Sequence, residues 1–148
     1  MNLRREGYAL SDDPAHLDRE LIHRWIHDDS YWAAGVPENV QRRAIDGSLN
    51  FGVYDGEPGT RQVAYARVVT DKATFAWLGD VFVIEEHRGK GLAKWLMEAV
   101  GAHPDLQGLR TFMLGTRDAH SLYERYGFER IEGSARFMSI RRPYREGA

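Results

Sequence analysis

The sequence predicts a single domain in which β-strands and α-helices are mixed. Its 148 residues are a length that one hydrophobic core can serve. Residues 78–100 are its most regular stretch and consist of an apolar strand, a glycine turn and an amphipathic helix. Turn residues separate further β-branched and aromatic runs on both sides of that stretch. Strands and helices therefore follow one another along the whole chain.

Composition excludes several classes of function. The chain has no cysteine, so it can form neither a disulfide nor a thiolate nucleophile, and any nucleophile must come from the substrate. A formal net charge of −2 and a pI near 6.3 argue against nucleic-acid binding. The sequence has no long apolar run and no signal-peptide pattern. We therefore expect a cytoplasmic protein with no membrane or nucleic-acid partner.

The first third of the chain predicts a strand, two helices and a loop between the helices. The strand covers residues 7–10, and turn residues then lead into a helix that begins near Ala15. Residues 28–37 break the helical period and form a loop, and a short second helix covers Glu38–Asp46. This loop carries Tyr31 and Trp32, which either contact a substrate or pack over the sheet as a lid.

Two histidines in the first helix, His23 and His27, have the i, i+4 spacing of a zinc-binding pair. They fall on the polar half of the helix, and no third ligand follows at a recognisable spacing. We therefore interpret them as surface residues and expect no metal site.

Residues 49–54 and 62–70 are two strands, and the turn residues between them predict a hairpin. Along the second strand, Arg67 stands in a row of otherwise apolar residues. If its side chain is buried, it needs a carboxylate from the protein or from a substrate. The alternative is that the side chain extends to water at the edge of the sheet.

The second half of the chain continues the mixed pattern. Gly79 interrupts the next strand, as glycine does at a β-bulge. The predicted elements are a strand over 74–84, a helix over Leu92–Ala102, a strand over 109–115, a short helix over 118–126, a strand from Phe128 and a last strand over 136–141.

The glycine turn Arg88-Gly89-Lys90-Gly91 opens the central helix and predicts an anion site. Glycines allow a ligand to approach the backbone closely, and the first N–H groups of a helix point into such a turn. A P-loop is excluded because Gly91 is followed by leucine. A dinucleotide fingerprint is excluded because Lys94 occupies the position of its last small residue.

Two motifs carry a resemblance to a known family. Arg88, Gly91 and Ala93 fill the pattern R/Q-x-x-G-x-G/A directly after an apolar strand, and residues 119–128 fill the pattern A-x-x-L-Y-x-x-x-G-F. Together they resemble the pyrophosphate-binding motif and the tyrosine helix of the GNAT superfamily of N-acyltransferases. The resemblance covers nearly the whole chain.

This resemblance implies a twisted, mostly antiparallel sheet of six or seven strands, with helices on both faces and a bulge in a central strand. It also implies acetyl-CoA as co-substrate, transfer of an acetyl group to a primary amine, and no metal. The cofactor-binding residues that it implies are Val81, Phe82, Val83, Arg88, Gly89, Lys90, Gly91, Leu92, Ala93, Lys94, Thr116 and Tyr123.

The resemblance also implies catalytic roles. Tyr123 would protonate the departing thiolate, with His120 as an alternative proton carrier, and the backbone N–H of Val83 would meet the thioester oxygen. Asp80 would either take a proton from the amine or attract its ammonium form, and the alternative is a purely structural turn aspartate. Many family members carry asparagine where this chain has Thr116, whose hydroxyl reaches less far towards the pantetheine.

The expected partner is a small-molecule amine, and a homodimer is left open. Tyr31, Trp32, Phe51 and Trp77 favour a small, partly aromatic pocket over an open groove. A catalytically silent acyl-CoA sensor and an acetyltransferase of protein N-termini or lysines are the alternatives. The predicted acceptor-binding residues are Tyr31, Trp32, Arg67, Trp77 and Asp80.

Overall fold

The computed structural model describes residues 1–144, except for the side chain of Ser134. Six strands form one sheet, in which they lie side by side in chain order. Neighbouring strands are antiparallel except for the last pair, which is parallel. The strands are β1 Asn2–Arg5, β2 Tyr8–Ser11, β3 Leu49–Asp55, β4 Arg61–Thr70, β5 Phe75–Val83 and β6 Thr111–Leu114. The helices are α1 Arg19–Asp29, α2 Glu38–Asp46, α3 Leu92–Ala102 and α4 His120–Glu124.

Helices cover the sheet on both sides, as the predicted fold requires. On one side, which we call the α3 face, the buried stripe of α3 packs on apolar residues of β3, β4 and β5. On the other side, the helix-pair face, Ile22 and Ile26 of α1 and Ile45 of α2 pack on Tyr65 and Phe82. The prediction of a mixed fold with a mostly antiparallel sheet is confirmed.

A bulge in β5 lies beside Gly79, in agreement with the sequence. Tyr65 pairs with Phe82, and Arg67 pairs with Gly79, so two residues of β5 stand opposite Ala66 alone. These two residues are 80 and 81. The extra residue locally shifts the alternation of side chains between the two faces.

The start of the chain differs from the prediction in two ways. β1 is an additional strand, joined to β2 by Glu6 and Gly7, whose positive φ angles of 50° and 85° suit a two-residue hairpin turn. α1 begins at Arg19 and not near Ala15, because Pro14–His16 form a separate 3₁₀ turn and Leu17 and Asp18 are not helical. The carboxylate of Asp18 caps the N–H of Leu21 at 3.1 Å.

The two strands predicted after α4 are not formed in the described part of the chain. Phe128 closes the end of α4 instead, because its N–H donates to the carbonyl of Tyr123 at 3.3 Å. The apolar residues of the second predicted strand stay exposed, Phe137 at 47%, Met138 at 97% and Ile140 at 81%. This segment therefore gains little burial to offset the entropy of ordering it.

Candidate active site

The sheet divides between β5 and β6. Pairing of these parallel strands runs from Phe75 opposite Thr111 to Leu78 opposite Leu114 and stops there. β5 continues to Val83, whereas β6 has already ended. Among the described residues, the second half of β5 thus has no strand beside it on this side. We call the resulting gap the split.

A backbone donor of β5 faces the split. The N–H of Ile84 donates to the carbonyl of Val63, which lies on the β4 side, at 2.9 Å. Because successive N–H groups of a strand point in opposite directions, the N–H of Val83 points away from β4 and into the split. The carbonyl of Val83 points the same way and accepts a hydrogen bond from Arg88 Nε at 3.0 Å.

The bulge directs the side chain of Asp80 towards the helix-pair face. Ala76 and Leu78 belong to the core on the α3 face, and regular alternation would place Asp80 there too. At Asp80 the backbone adopts a left-handed conformation with φ of 54°, and its carboxylate instead lies among residues of the helix-pair face. Phe82, beyond the bulge, also lies on that face.

Three donors surround the carboxylate of Asp80, which is only 6% exposed. Trp32 Nε1 donates to Oδ1 at 2.8 Å, and Arg67 Nε donates to Oδ2 at 2.8 Å. Gln41 Nε2 lies 3.5 Å from Oδ2. A buried carboxylate with a guanidinium partner carries little net charge outward, so this cluster is an ion pair with its polar atoms satisfied.

Arg67 therefore does not extend to the edge of the sheet, and that alternative is wrong. Its carboxylate partner comes from the protein, and its Nη1 also donates to Ser48 Oγ at 3.1 Å. The exposed fraction of the Arg67 side chain is 19%, and that of the Asp80 side chain is 6%. The guanidinium is thus the more accessible half of the pair.

Three of the predicted acceptor-binding residues form an exposed aromatic wall next to this pair. Tyr31, Trp32 and Trp77 are 48%, 37% and 39% exposed. A Cβ atom on Gly79 would lie 3.3 Å from Trp77 Nε1, and one on Gly115 would lie 3.6 Å from Trp77 Cη2. The indole of Trp77 therefore reaches from β5 to the chain after β6, across the mouth of the split.

The loop between α1 and α2 covers part of the core and leaves its two aromatic side chains accessible, so their contact with a substrate stays a prediction. Trp32 donates a hydrogen bond to Asp80, and the centre of its ring lies 5.8 Å from that of Trp25. Because Trp25 in turn stacks on Phe82, the loop covers part of the core. Both loop aromatics nevertheless keep a third or more of their surface exposed. The prediction for Phe51 is wrong, because it is fully buried in the core on the α3 face.

Tyr31 also joins the two sides of the split. Its hydroxyl accepts a hydrogen bond from the N–H of Arg117 at 2.9 Å, and the Arg117 guanidinium lies 4.1 Å from the centre of its ring. The loop after α1 and the loop after β6 therefore meet above the gap.

The glycine turn has the geometry of an anion cradle. Gly89 and Gly91 adopt positive φ angles of 78° and 76°, which favour glycine, and a Cβ on either would meet no atom within 4 Å. Gly91 precedes α3, and no side chain caps the first turn of that helix. Its first N–H groups can therefore bind a phosphate.

The other residues predicted for the cofactor surround this turn and the strand before it. Arg88 and Lys90 are exposed on the turn, and Lys94 is exposed on α3. Leu92 is buried, Ala93 is half-buried, and both belong to the first turn of α3. Val81 and Val83 pack against the core on the α3 face, whereas Phe82 is buried on the helix-pair face.

Tyr123 is the one buried residue of α4 and is 8% exposed. Burial raises the pKa of its hydroxyl, and the neighbouring Tyr31 raises it further. The hydroxyl forms no hydrogen bond with any residue in 1–144. Tyr123 is thus a protonated phenol at neutral pH, with its donor available to a ligand.

Thr116 and His120 lie at the two ends of the loop that precedes α4. The hydroxyl of Thr116 accepts a hydrogen bond from the N–H of Ala119 at 3.0 Å, so this side chain holds the loop. Its own O–H proton can still be donated. His120 is half-buried at the start of α4.

A cavity of about 930 Å³ lies beside the split and not within it. Its walls are formed by β6, α4, the end of α3 and the chain after α4, and they include Tyr123 and His120. No residue of β5 or of the glycine turn lines it. The N–H of Val83 faces the split and not this cavity.

His23 and His27 each lie against an acceptor of the protein itself. His23 Nε2 lies 2.8 Å from the carbonyl of Val36, and His27 Nδ1 lies 2.7 Å from Asp28 Oδ1. Residues 1–144 contain no cluster of three or more potential metal ligands. None of the helices described here has the length and hydrophobicity needed to span a bilayer.

A divided sheet with a bulged strand and a glycine turn before a helix defines a class of acyl-CoA-dependent transferases. The sequence model of the acetyltransferase (GNAT) domain matches residues 48–130. A curated protein of Gibberella zeae, FG08082, named as a candidate acetyltransferase, is 33% identical over 141 residues, which cover 82% of this chain and 78% of that protein. The chain therefore belongs to the GNAT family of acetyltransferases, whose co-substrate is acetyl-CoA.

Solved structures agree with this assignment. The crystal structure of a candidate GNAT acetyltransferase from Xanthomonas campestris pv. campestris is 51% identical, with a TM-score of 0.87, and the match covers 95% of this chain and 96% of that one. Glucosamine-6-phosphate N-acetyltransferase from Arabidopsis thaliana has a TM-score of 0.65 at 16% identity, over 95% of this chain and 100% of that one. The second match shows a shared fold and no more, so its acceptor is not transferred to this chain.

The sequence did not indicate three residues of the site. Gln41 and Ser48 complete the cluster around Arg67 and Asp80, and Arg117 contacts Tyr31. Only Gln41 had a usable signal. It lies four residues before Ile45 on α2, so it shares the buried side of that helix although it is polar.

Proposed function

We propose that this protein transfers an acetyl group from acetyl-CoA to the primary amine of a small molecule. The observation that carries the proposal is the direction of the Val83 N–H. This donor points into the split, at the same end of β5 as the uncapped glycine turn before α3. One ligand can therefore place its pyrophosphate on the turn and its thioester beside the donor.

In this reaction the amine attacks the thioester carbon, a C–N bond forms and the C–S bond breaks. The Val83 N–H stabilises the negative charge that develops on the carbonyl oxygen. The Tyr123 hydroxyl gives its proton to the departing thiolate, and the amine releases its own proton to water. Burial raises the pKa of the Tyr123 hydroxyl, which keeps its proton in place at neutral pH but makes it a weaker acid. The support for this role is the position of the hydroxyl, which has no partner among the described residues and is free to meet a ligand.

Asp80 acts on the acceptor side as a positioning residue. Its oxygens already accept hydrogen bonds from Trp32 and Arg67, and Arg67 balances its charge. We infer from these contacts that Asp80 holds the side chains of Trp32 and Arg67 in place. The same contacts disfavour the two other roles, removal of a proton from the amine and attraction of its ammonium form. With no protein base, kcat/KM rises with pH in parallel with the fraction of amine that is unprotonated.

A small acceptor is favoured over a protein by the enclosure of the site. Trp77 spans the mouth of the split, and the contact between Tyr31 and Arg117 joins its two sides. A folded protein would have to displace both contacts, whereas a small amine can enter between them. Partly exposed aromatic side chains can pack against the acceptor's carbon skeleton.

The test is thiol release from acetyl-CoA across a panel of amino acids, polyamines, aminoglycosides and peptides. We expect release with one class of small amines and binding of acetyl-CoA without any acceptor. Binding without release for every amine would support the alternative of a silent sensor. Release with peptides alone would support a protein acceptor.

A further inference from the structure

We propose that the acceptor carries a carboxylate and that Arg67 binds it, so that the substrate is an amino carboxylic acid. This inference rests on the proposed function, because it names the class of amine that enters the same site. Its evidence is the unequal exposure of the two halves of the buried ion pair. Asp80 is 6% exposed, while the side chain of Arg67 is 19% exposed.

The carboxylate of Asp80 points inward and is occupied. Oδ1 accepts from Trp32, and Oδ2 accepts from Arg67 with Gln41 at 3.5 Å. An incoming ammonium group would have to displace one of these donors to reach it. A polyamine or another purely cationic acceptor therefore gains little here.

The guanidinium of Arg67 has donors to spare. Of the five N–H bonds of an arginine, one on Nε binds Asp80 and one on Nη1 binds Ser48. Nη2 donates to no residue in the described part of the chain. The N–H groups of Nη2 are therefore left to water or to a ligand, and a carboxylate is the planar acceptor that matches the guanidinium fork.

The position of Arg67 also suits an acceptor. It pairs across the sheet with Gly79, the residue that Trp77 covers at the mouth of the split. Val83 is four residues further along β5, which is roughly 10 Å once the bulge is allowed for. A carboxylate held by Arg67 thus stands about 10 Å from the Val83 donor, and the carbon skeleton of the acceptor spans that distance against Trp77.

A carboxylate fits this place better than a phosphate. Asp80 already balances the charge of Arg67, so an anionic acceptor gains hydrogen bonds from the guanidinium while its own charge stays unbalanced. A dianionic phosphate would bring more charge than the pair can balance. The substrate class is therefore an amine with a single carboxylate.

The experiment compares amines that differ only in the carboxylate. The pairs are phenylalanine with phenethylamine, 4-aminobutanoate with propylamine, and β-alanine with ethylamine. 2-Aminoethyl phosphate replaces the carboxylate of β-alanine by a phosphate. Initial rates of thiol release are compared at equal concentrations of unprotonated amine. A charge-assisted hydrogen bond to a half-buried guanidinium predicts a preference of about 10- to 100-fold in kcat/KM for the carboxylate member of at least one pair.

Two variants of Arg67 test its role in that preference. Arg67→Lys keeps the charge without the fork and should reduce the preference, and Arg67→Gln should abolish it. Arg61→Gln is the matched control, since Arg61 lies on the same strand with its side chain 77% exposed and should leave the preference unchanged. Circular dichroism checks folding, and the comparison in the unaltered protein stands without either variant.

The outcomes separate the inference from the proposed function. Equal or faster release with the plain amines, or with the phosphate, overturns the inference and leaves the acetyltransferase intact. A preference that persists in folded Arg67→Gln overturns the role of Arg67. No release with any member of the series, together with no release across the broader panel, overturns the proposed function and the inference with it.

Discussion

Substitution of Asp80 by asparagine should destabilise the protein before it affects chemistry. Asparagine has one acceptor oxygen in place of two, so it can bind either Trp32 Nε1 or Arg67 Nε, and its amide group then faces the other donor. Removal of one partner from a buried ion pair costs about 3–5 kcal/mol in unfolding free energy. Because 19% of the Arg67 side chain still contacts water, we expect a loss of about 2–3 kcal/mol, at or just below that range.

The assay is thermal unfolding followed by circular dichroism, with and without acetyl-CoA. For a domain of 148 residues, this loss corresponds to a fall in Tm of about 4–12 °C. The matched control is Asp55→Asn, which breaks the exposed pair between Asp55 and Arg61 and should change Tm by less than about 2 °C.

Kinetics at temperatures where both proteins are folded separate the two roles of Asp80. As a positioning residue, it should affect mainly the KM of the acceptor, and the rise of kcat/KM with pH should keep its shape. An unchanged Tm together with a large fall in kcat and an altered pH profile would refute the reasoning and make Asp80 the general base.

Three further predictions concern other parts of the site and the fold. Gly91→Val should abolish the binding of acetyl-CoA, measured by calorimetry, because the valine side chain occupies the cradle. The control is Gly108→Val, at a similar positive φ in another loop. Equal binding by both variants would place the cradle elsewhere. Tyr123→Phe should lower kcat by about 10²- to 10⁴-fold with little change in acetyl-CoA binding, and a loss below about threefold with chemistry rate-limiting would assign the proton to another group. Burial raises the pKa of Tyr54, Tyr65 and Tyr123, so above pH 10 the unfolded chain binds fewer protons than the folded one and stability should fall as the pH rises. The expected slope is about 1.4 kcal/mol per pH unit for each of Tyr54 and Tyr65. Ionisation of the buried phenols near pH 10 in the folded protein, seen by absorbance at 295 nm, would contradict that expectation.

The elements with strong local signals were predicted well from the sequence. Helices over Glu38–Asp46 and Leu92–Ala102 have the predicted bounds, because apolar spacing and the glycines beside them define their ends. The position of the bulge followed from Gly79 within a strand. Such features depend on neighbouring residues alone.

Features that depend on distant partners were missed or left open. β1 is fully exposed and exists through its pairing with β2, so its sequence carries no burial pattern. The carboxylate partner of Arg67 comes from β5, and its second partner is Ser48, which lies before β3. The segment after Phe128 alternates as a strand would but finds no partner in the described structure. Pairing of this kind is a tertiary property, which alternation alone does not specify.

The bulge makes the acidic group of the site an insertion into an otherwise regular strand. Without residue 80, the order Phe75, Ala76, Trp77, Leu78, Gly79, Val81, Phe82, Val83 would alternate without interruption, and each side chain would keep the face that it now occupies. The insertion of one residue therefore converts a regular strand into one that presents a carboxylate to the helix-pair face. Deletion of Asp80 would keep every other side chain of β5 on its present face of the sheet, but it would remove the carboxylate partner of Arg67. In β5, one extra residue places the Asp80 carboxylate, whereas the alternating apolar residues fill the two cores.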